Sequence, residues 1–119
     1  MTEHVSVARD GDVLVVRLER PEKKNAMTEA MYDACVAAFG QADRDGLGAV
    51  LVAGSGGAFT AGNDLADFLA ASERPGELSA FHFITALARL ETPLVAAVEG
   101  VAVGVGTTML LHCDLVYAA

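Results

Sequence analysis

The 119-residue chain has no tryptophan, three prolines and two cysteines. Cys35 and Cys113 lie in apolar segments without the spacing of metal ligands. This pattern predicts reduced core thiols, no metal site and a cytoplasmic location. The longest apolar region, residues 94–111, is interrupted by Glu99, glycines and threonines, so we expect no membrane-spanning helix. The first residues lack the basic start and the apolar run of a signal peptide, so none is expected.

Basic residues are scarce, with eight Lys and Arg against sixteen Asp and Glu and a net charge of −8. Nucleic acids and anionic membranes require a basic footprint, so we expect neither as a partner. Three of the eight basic residues, Arg20, Lys23 and Lys24, lie close together. This cluster is either a site for a polyanionic small molecule or a solvated loop, since Glu19 and Glu22 are interspersed with it.

The spacing of apolar residues predicts alternating strands and helices. Five strands are predicted at residues 5–8, 13–18, 49–53, 94–98 and 113–119. Four helices are predicted: one capped by Thr28 and ended by residues 43–46, then residues 65–69, residues 77–90, and an apolar run ending at His112. Asp10-Gly11-Asp12 predicts a hairpin, one strand of which could be buried on both faces. The order of elements predicts an α/β fold with largely buried strands.

Two glycine-rich loops each follow an apolar strand and lead into a helix. They span residues 54–65, where Asn63 or Asp64 is a plausible N-cap, and residues 100–108. Glycine permits tight turns and close approach to a ligand, and first-turn amides can point at developing negative charge. One amide from each loop would make an oxyanion site for an acyl carbonyl. A single loop of this kind more often indicates a turn that only packs tightly, and it is the presence of a second loop that favours a site.

Four stretches, in order and spacing across nearly the whole chain, resemble the crotonase superfamily of enoyl-CoA hydratases and isomerases. They are residues 20–27 (RPEKKNAM), 59–65 (FTAGNDL), 92–106 (TPLVAAVEGVAVGVG) and 113–119 (CDLVYAA). The resemblance implies a spiral of strand-strand-helix units that forms two roughly perpendicular sheets. Residues 1–119 would be the N-terminal part of one such domain, before the family's C-terminal helical region, with an exposed apolar edge that needs a partner. It also implies a homo-oligomer, a trimer or a dimer of trimers.

The same resemblance implies the roles of individual residues. The backbone amides of Asn63 and Val105 would bind the thioester oxygen of an acyl-CoA and stabilise an enolate. No cofactor is implied except the coenzyme A that the substrate carries, with Lys23 or Lys24 near its phosphates. The implied substrate-binding residues are Lys23, Lys24, Ala26, Ala61, Gly62, Asp64, Leu65, Gly104, Gly106 and Thr108.

Thr108 departs from the pattern of the family's hydratases, which carry a water-activating glutamate at this position. A hydroxyl at its ordinary pKa is not a general base without a partner that takes its proton. The segments 62–65 and 103–108 are more similar to the isomerase branch, in which a carboxylate, here beyond residue 119, moves a proton between two carbons. The favoured function is therefore isomerisation of enoyl-CoA. The alternative is a catalytically inactive protein that binds acyl-CoA or a sister subunit.

Other polar residues have structural interpretations. His112, Cys113 and Asp114 are adjacent in sequence, but neighbours point to different faces, so we expect packing rather than a nucleophile with its base. Asp114 is expected to be a buried carboxylate that fixes a turn. His82 is expected to be exposed or at a subunit contact. Glu99 is a candidate acid near the pocket, with a structural role favoured.

Overall fold

The computed structural model describes residues 4–119, in which one five-stranded sheet is connected by helices. The strands are β1 (Val5–Asp10), β2 (Val13–Leu18), β3 (Ala49–Gly54), β4 (Leu94–Val98) and β5 (Leu115–Ala118). The helices are α1 (Glu29–Asp45), α2 (Leu65–Ser72), α3 (Ser79–Arg89) and α4 (Val105–His112), and residues 21–23 form a 3₁₀ turn. The predicted α/β class and the predicted order of strands and helices are both confirmed.

The strands lie side by side in the order β1-β2-β3-β4-β5. β1 and β2 are an antiparallel hairpin that turns at Gly11, whose φ is 60°. The remaining neighbours are parallel, so Val52 pairs with Val16 on one side and with Ala96 on the other. Because carboxyl ends of parallel strands share one edge of a sheet, the loops after β2, β3 and β4 are brought together there.

The core lies on one face of the sheet. In β2, Leu14, Val16 and Leu18 are buried in the main apolar cluster with residues of α1 and α3, whereas Val13 is half-buried and Arg17 is exposed. The expectation that a hairpin strand is buried on both faces is therefore wrong. β5 is exposed along its length, so the expectation of largely buried strands fails there too. For β2, the physical reason is that the described helices pack against one face of the sheet. β5 is an edge strand whose main contacts among the described elements are with β4, so both of its faces are exposed.

Side-chain caps set the beginnings of α1 and α2. Thr28 Oγ1 accepts a hydrogen bond from the amide of Met31 at 3.2 Å, as the sequence predicts for α1. Asp64, one of the two proposed caps, accepts from the amide of Asp67 at 2.9 Å and begins α2. α2 continues to Ser72, beyond the predicted end at Leu69, because no helix-breaking residue interrupts it before Pro75.

A carboxylate from another helix determines where α3 begins. The predicted start was Glu77, but the helix starts at Ser79, whose amide donates to Glu29 Oε2 of α1 at 2.7 Å. The N-cap residue itself, Leu78, makes no side-chain cap. Glu29 thus satisfies a helix-terminal donor that local sequence leaves without a partner. No helix within residues 4–119 is long and apolar enough to span a bilayer.

Candidate functional site

Asn25 joins the loop after β2 to the loop after β3. It is fully buried with φ 58°, a left-handed conformation that asparagine tolerates better than most residues. Its Oδ1 accepts from the amide of Arg20 at 2.8 Å, and its Nδ2 donates to the carbonyls of Ser55 at 3.0 Å and Ala58 at 2.9 Å. Sequence reasoning did not single out Asn25. The available signal was an asparagine directly after a turn.

Thr60 joins three loops. It is fully buried, its hydroxyl donates to the carbonyl of Asn25 at 2.7 Å, and the same oxygen accepts from the amide of Gly62 at 3.1 Å. Its backbone amide donates to Val101 and its carbonyl accepts from Val103, both at 3.1 Å. The loop after β3 is therefore hydrogen-bonded both to the loop after β2 and to the loop after β4.

The two glycine-rich loops touch where each leads into a candidate donor. Gly62 precedes Asn63 and has φ 93°, and Gly104 precedes Val105 and has φ 59°. A Cβ atom on Gly62 would lie 3.0 Å from the carbonyl oxygen of Val103, and one on Gly104 would lie 3.9 Å from the Gly62 Cα atom. Both positions need glycine for their backbone conformation, and at Gly62 also because the other loop is so close.

The amides of Asn63 and Val105 have no acceptor among residues 4–119. Asn63 forms a parallel bridge with Met27 in which its neighbours make the hydrogen bonds: Met27 N donates to Gly62 O at 2.7 Å, and Asp64 N donates to Met27 O at 2.9 Å. The Asn63 N–H therefore faces away from Met27. Val105 is the first residue of α4, where an amide has no intrahelical acceptor.

A small cavity of about 10 Å³ lies beside Asn63. It is lined by Met27, Glu29, Tyr32, Asn63, Asp67, Phe68, Leu78 and Ala80. The hydroxyl of Tyr32 donates to Oδ1 of Asn63. Burial, followed by the nearby Cys35 and Glu29, raises the pKa of Tyr32 well above its usual value, so this hydroxyl remains a donor. Sequence reasoning missed Tyr32, because its place in the helix is compatible with simple core packing.

The predicted cationic cluster divides into two parts. Arg20 Nη1 donates to Asp64 Oδ2 at 2.8 Å and to the carbonyl of Ala26 at 3.0 Å, and both charged side chains of this pair are mostly buried. Arg20 is therefore not free for a ligand. Lys23 and Lys24 are exposed and make no ion pair within the described part of the chain. Of the three basic residues in this cluster, only Lys23 and Lys24 are therefore available to bind a polyanion.

Asp64 is held by the first turn of α2, by Arg20 and by the loop before α1 rather than left open to a substrate. The amide of Asp67, followed by the Arg20 guanidinium, lowers the pKa of Asp64 below its ordinary value. Its own backbone amide donates to Met27. Both carboxylate oxygens and the N–H group of Asp64 are thus hydrogen-bonded within the protein. Among the predicted substrate-binding residues, Asp64 therefore makes contacts that mainly stabilise the fold.

The other predicted pocket residues lie on the same edge but differ in exposure. Ala26 and Ala61 are half-buried, and the Ala61 amide donates to Lys24 O at 3.0 Å. Leu65 and Gly104 are exposed, whereas Gly106 is buried against Thr60.

The Thr108 hydroxyl has no base beside it among residues 4–119. It is half-buried, and its Oγ1 donates at 3.4 Å to the carbonyl of Gly104, the N-cap residue of α4. This contact is with backbone of its own helix, so nothing in it activates the oxygen as a proton acceptor.

The adjacent His112, Cys113 and Asp114 do not form a reactive group. The imidazole of His112 lies 3.0 Å from a carbonyl of its own helix, and the Cys113 thiol donates to Met109 at 3.4 Å. Burial, followed by the charge of Asp114, raises the pKa of Cys113 to about 11, so the thiol stays protonated. Asp114 accepts from the amide of Leu94 at 2.8 Å, as a turn-fixing carboxylate would, but it is exposed rather than buried.

Glu99 and His82 lie apart from the candidate amides. Glu99 lines a cavity of about 370 Å³ that it shares with Arg17 and Tyr117 on the outer face of the sheet. His82 is exposed, with Nε2 3.8 Å from Glu77 Oε2. Within residues 4–119, no group of three or more His, Cys, Asp and Glu side chains is arranged to hold a metal ion. Cys35 and Cys113 are both free thiols.

The sequence of this chain is similar to those of known proteins. Residues 8–119 match the family model described as enoyl-CoA hydratase/isomerase. The chain is 33% identical over 121 residues to enoyl-CoA delta isomerase 2 of Rattus norvegicus, covering 97% of this chain and 31% of that protein. It is 37% identical over 120 residues to 4-chlorobenzoyl coenzyme A dehalogenase-1 of an Arthrobacter species, covering 94% of this chain and 44% of that protein.

A solved structure agrees with the sequence comparison. An enoyl-CoA hydratase/isomerase from Pseudoalteromonas atlantica superposes with a TM-score of 0.91 at 44% identity, covering 98% of this chain and 47% of the solved one. The chain spans less than half the length of these relatives. Because the family match extends over nearly all the described residues and the fold agrees with the solved relative, the chain belongs to the enoyl-CoA hydratase/isomerase family.

Proposed function

We propose that the backbone amides of Asn63 and Val105 form an oxyanion site for the thioester carbonyl of an acyl-CoA. The observation that carries this proposal is that two amides without an acceptor among residues 4–119 follow two glycines in contact with each other, Gly62 and Gly104. Removal of a proton from the α carbon of a thioester places negative charge on the carbonyl oxygen. A preformed backbone donor stabilises such a transition state by roughly 2.7 to 4 kcal/mol.

We further propose that the complete protein isomerises the double bond of an enoyl-CoA rather than hydrating it. Thr108 supports this choice, because its hydroxyl is bonded to the carbonyl of Gly104 and has no base beside it in the described chain. Similarity to the rat relative, which is named an isomerase, supports the same choice. The carboxylate that moves the proton is expected after residue 119, since Asp64 is occupied by Arg20 and by the amide of Asp67.

The remaining features of the proposed site concern binding. Lys23 and Lys24 would attract the phosphates of coenzyme A, which enters as part of the substrate, and no separate cofactor is required for this chemistry. Ala61, Gly62 and Gly106 would contribute backbone surface close to the thioester. A homo-oligomer is the proposed assembly.

The test uses a substitution that removes a single donor. Proline at the first position of a helix keeps the helix and lacks an N–H, so Val105→Pro deletes the proposed donor from α4, and Val105→Ala is the matched control. The probe is cinnamoyl-CoA, a conjugated thioester whose absorbance moves to longer wavelength when its carbonyl oxygen accepts strong hydrogen bonds. We expect the shift with the unsubstituted chain and with Val105→Ala, and its loss with Val105→Pro.

Turnover in the complete protein supplies the second readout. Val105→Pro is expected to lower the rate of 3-enoyl-CoA to 2-enoyl-CoA conversion by about a hundredfold or more. Circular dichroism first establishes that the variant is folded. Equal activity in a folded Val105→Pro protein would place the oxyanion elsewhere. A spectral shift without any turnover would favour the alternative, a catalytically inactive acyl-CoA-binding protein.

A further inference from the structure

A buried tyrosine of α1 is hydrogen-bonded to the side chain of one proposed oxyanion donor. Tyr32 is 2% exposed, and its ring lies 5.1 Å from that of Phe83, tilted by 49°. Its hydroxyl donates to Oδ1 of Asn63, which is itself exposed at the surface of the loop. We propose that Tyr32 is a positioning residue that fixes Asn63, and through it the direction of the Asn63 amide. This inference rests on the proposed oxyanion site.

The backbone around Asn63 is anchored on both sides but not at the residue itself. The carbonyl of Gly62 and the amide of Asp64 each bond to Met27, at 2.7 and 2.9 Å. Gly62, which has φ 93°, gives the chain more conformational freedom than any other residue type would. The Tyr32 hydroxyl supplies the third anchor, on the side chain of Asn63. An anchor on a rigid, packed ring limits how far the intervening N–H can turn.

The anchor has a second effect, which concerns the acceptor in the Asn63 side chain. Asparagine oxygens readily bond to backbone amides of their own or neighbouring residues, and such a bond would consume a donor that a ligand needs. A carboxamide oxygen turned towards the anion position would also repel negative charge there. Because Tyr32 binds Oδ1, that oxygen is held away from both.

The two carboxylates that line the cavity beside Tyr32 each accept a hydrogen bond from a backbone amide, and among residues 4–119 the Tyr32 hydroxyl is hydrogen-bonded to Asn63. Glu29 Oε2 accepts from the amide of Ser79 at 2.7 Å, and Asp67 Oδ2 accepts from the amide of Glu29, also at 2.7 Å. Both carboxylates thereby satisfy helix-terminal amides. The phenol hydroxyl donates instead to the side chain of Asn63.

The experiment compares two tyrosine-to-phenylalanine substitutions in the full chain. Tyr32→Phe removes only the hydroxyl and keeps the ring against Phe83. Tyr117→Phe is the matched control, because Tyr117 is exposed in β5. With cinnamoyl-CoA as the probe, we expect Tyr32→Phe to weaken binding about fivefold and to reduce the absorbance shift. Fivefold corresponds to about 1 kcal/mol, the usual net value of one hydrogen bond. Tyr117→Phe is expected to change neither.

A double-variant cycle separates positioning from simple packing. Asn63→Ala keeps the backbone amide but removes the target of the hydroxyl, so it should also reduce the shift, and the Tyr32→Phe/Asn63→Ala protein should lose no more than the larger single effect. Additive losses would overturn the proposal. So would a Tyr32→Phe protein with a lower Tm but an unchanged absorbance shift, since a merely structural role gives that result.

The proposed function and this inference fail in different ways. If the unsubstituted chain produces no shift, the oxyanion site is wrong and the positioning role falls with it. If Val105→Pro abolishes the shift while Tyr32→Phe leaves it intact, the site stands and only the role of Tyr32 is refuted.

Discussion

Gly106→Ala should destabilise the chain although it replaces glycine by a better helix former. Gly106 lies in the first turn of α4, and a Cβ atom there would lie 2.7 Å from Cγ2 of Thr60. Thr60 cannot retreat easily, because its hydroxyl bonds to both Asn25 and Gly62 and its backbone bonds to the loop after β4. The added methyl group must therefore push α4 away from the loop that carries Asn63.

The magnitude follows from two opposed contributions. Alanine is favoured over glycine inside a helix by about 1 kcal/mol. Overpacking a buried contact costs about 1–3 kcal/mol, and we take about 2 here because the neighbour is fixed by four hydrogen bonds. The net loss is about 1 kcal/mol. The matched control is Gly40→Ala in α1, where the nearest atom is the mobile end of Arg44 at 3.3 Å, so the helical gain of up to about 1 kcal/mol is kept.

Thermal unfolding followed by circular dichroism measures this difference. The two variants should differ by about 2 kcal/mol, or about 8 °C in Tm for a domain of this size, with Gly40→Ala above the unsubstituted chain and Gly106→Ala below it. Urea unfolding gives the same comparison without heat. A Gly106→Ala protein that melts at or above the temperature of Gly40→Ala would show that α4 and the Thr60 loop are not in tight contact.

Three further predictions concern charge and chemistry. Replacing Lys23 and Lys24 by Ala should weaken CoA binding at low salt and have little effect at high salt, because salt screens exposed charges. The control, Arg89→Ala, should leave CoA binding unchanged. If the double variant binds CoA equally well at low salt, the two lysines do not contact the phosphates. In the complete protein, Thr108→Glu should raise 3-hydroxyacyl-CoA formation from 2-enoyl-CoA relative to isomerisation; fast hydration by the unsubstituted protein would contradict this. The pKa of Asp64 is lower in the folded chain than its ordinary value of 3.8. The contribution of Asp64 to the free energy of unfolding is therefore present above pH 3.8 and is lost as the pH falls through the pKa of the folded state. The stability deficit of Asp64→Asn should therefore shrink in acid, and a constant deficit would refute the shift.

The predictable part of the fold depends on local periodicity and on the geometry of parallel sheets. Apolar spacing indicated the five strands and the four α-helices in order, since most of them bury one face and break at glycine, proline or a cap. The meeting of the two glycine-rich loops follows because β3 and β4 are parallel neighbours, so their carboxyl ends lie at the same edge. Neither inference needs knowledge of a contact between distant side chains.

The polar contacts of the site cannot be predicted from local periodicity or from sheet geometry. Arg20 pairs with Asp64 at a separation of 44 residues, and Tyr32 bonds to Asn63 at a separation of 31. No period in the sequence connects such residues, because their meeting depends on how α1 packs over the loop after β3. For this reason Arg20 reads in the sequence as a free cation and Tyr32 as an ordinary core aromatic, and both readings change once the partners are known.

The candidate amides could be located in the sequence because glycines lie beside them. A backbone N–H is present in every residue except proline, so Asn63 and Val105 carry little signal in their own identity. The restriction falls on neighbouring glycines instead: Gly62 and Gly104 have positive φ, and Gly106 has no room for a methyl group beside Thr60. A site built of backbone donors is therefore visible in sequence through its glycines, whereas the side chains that orient those donors are visible only in the fold.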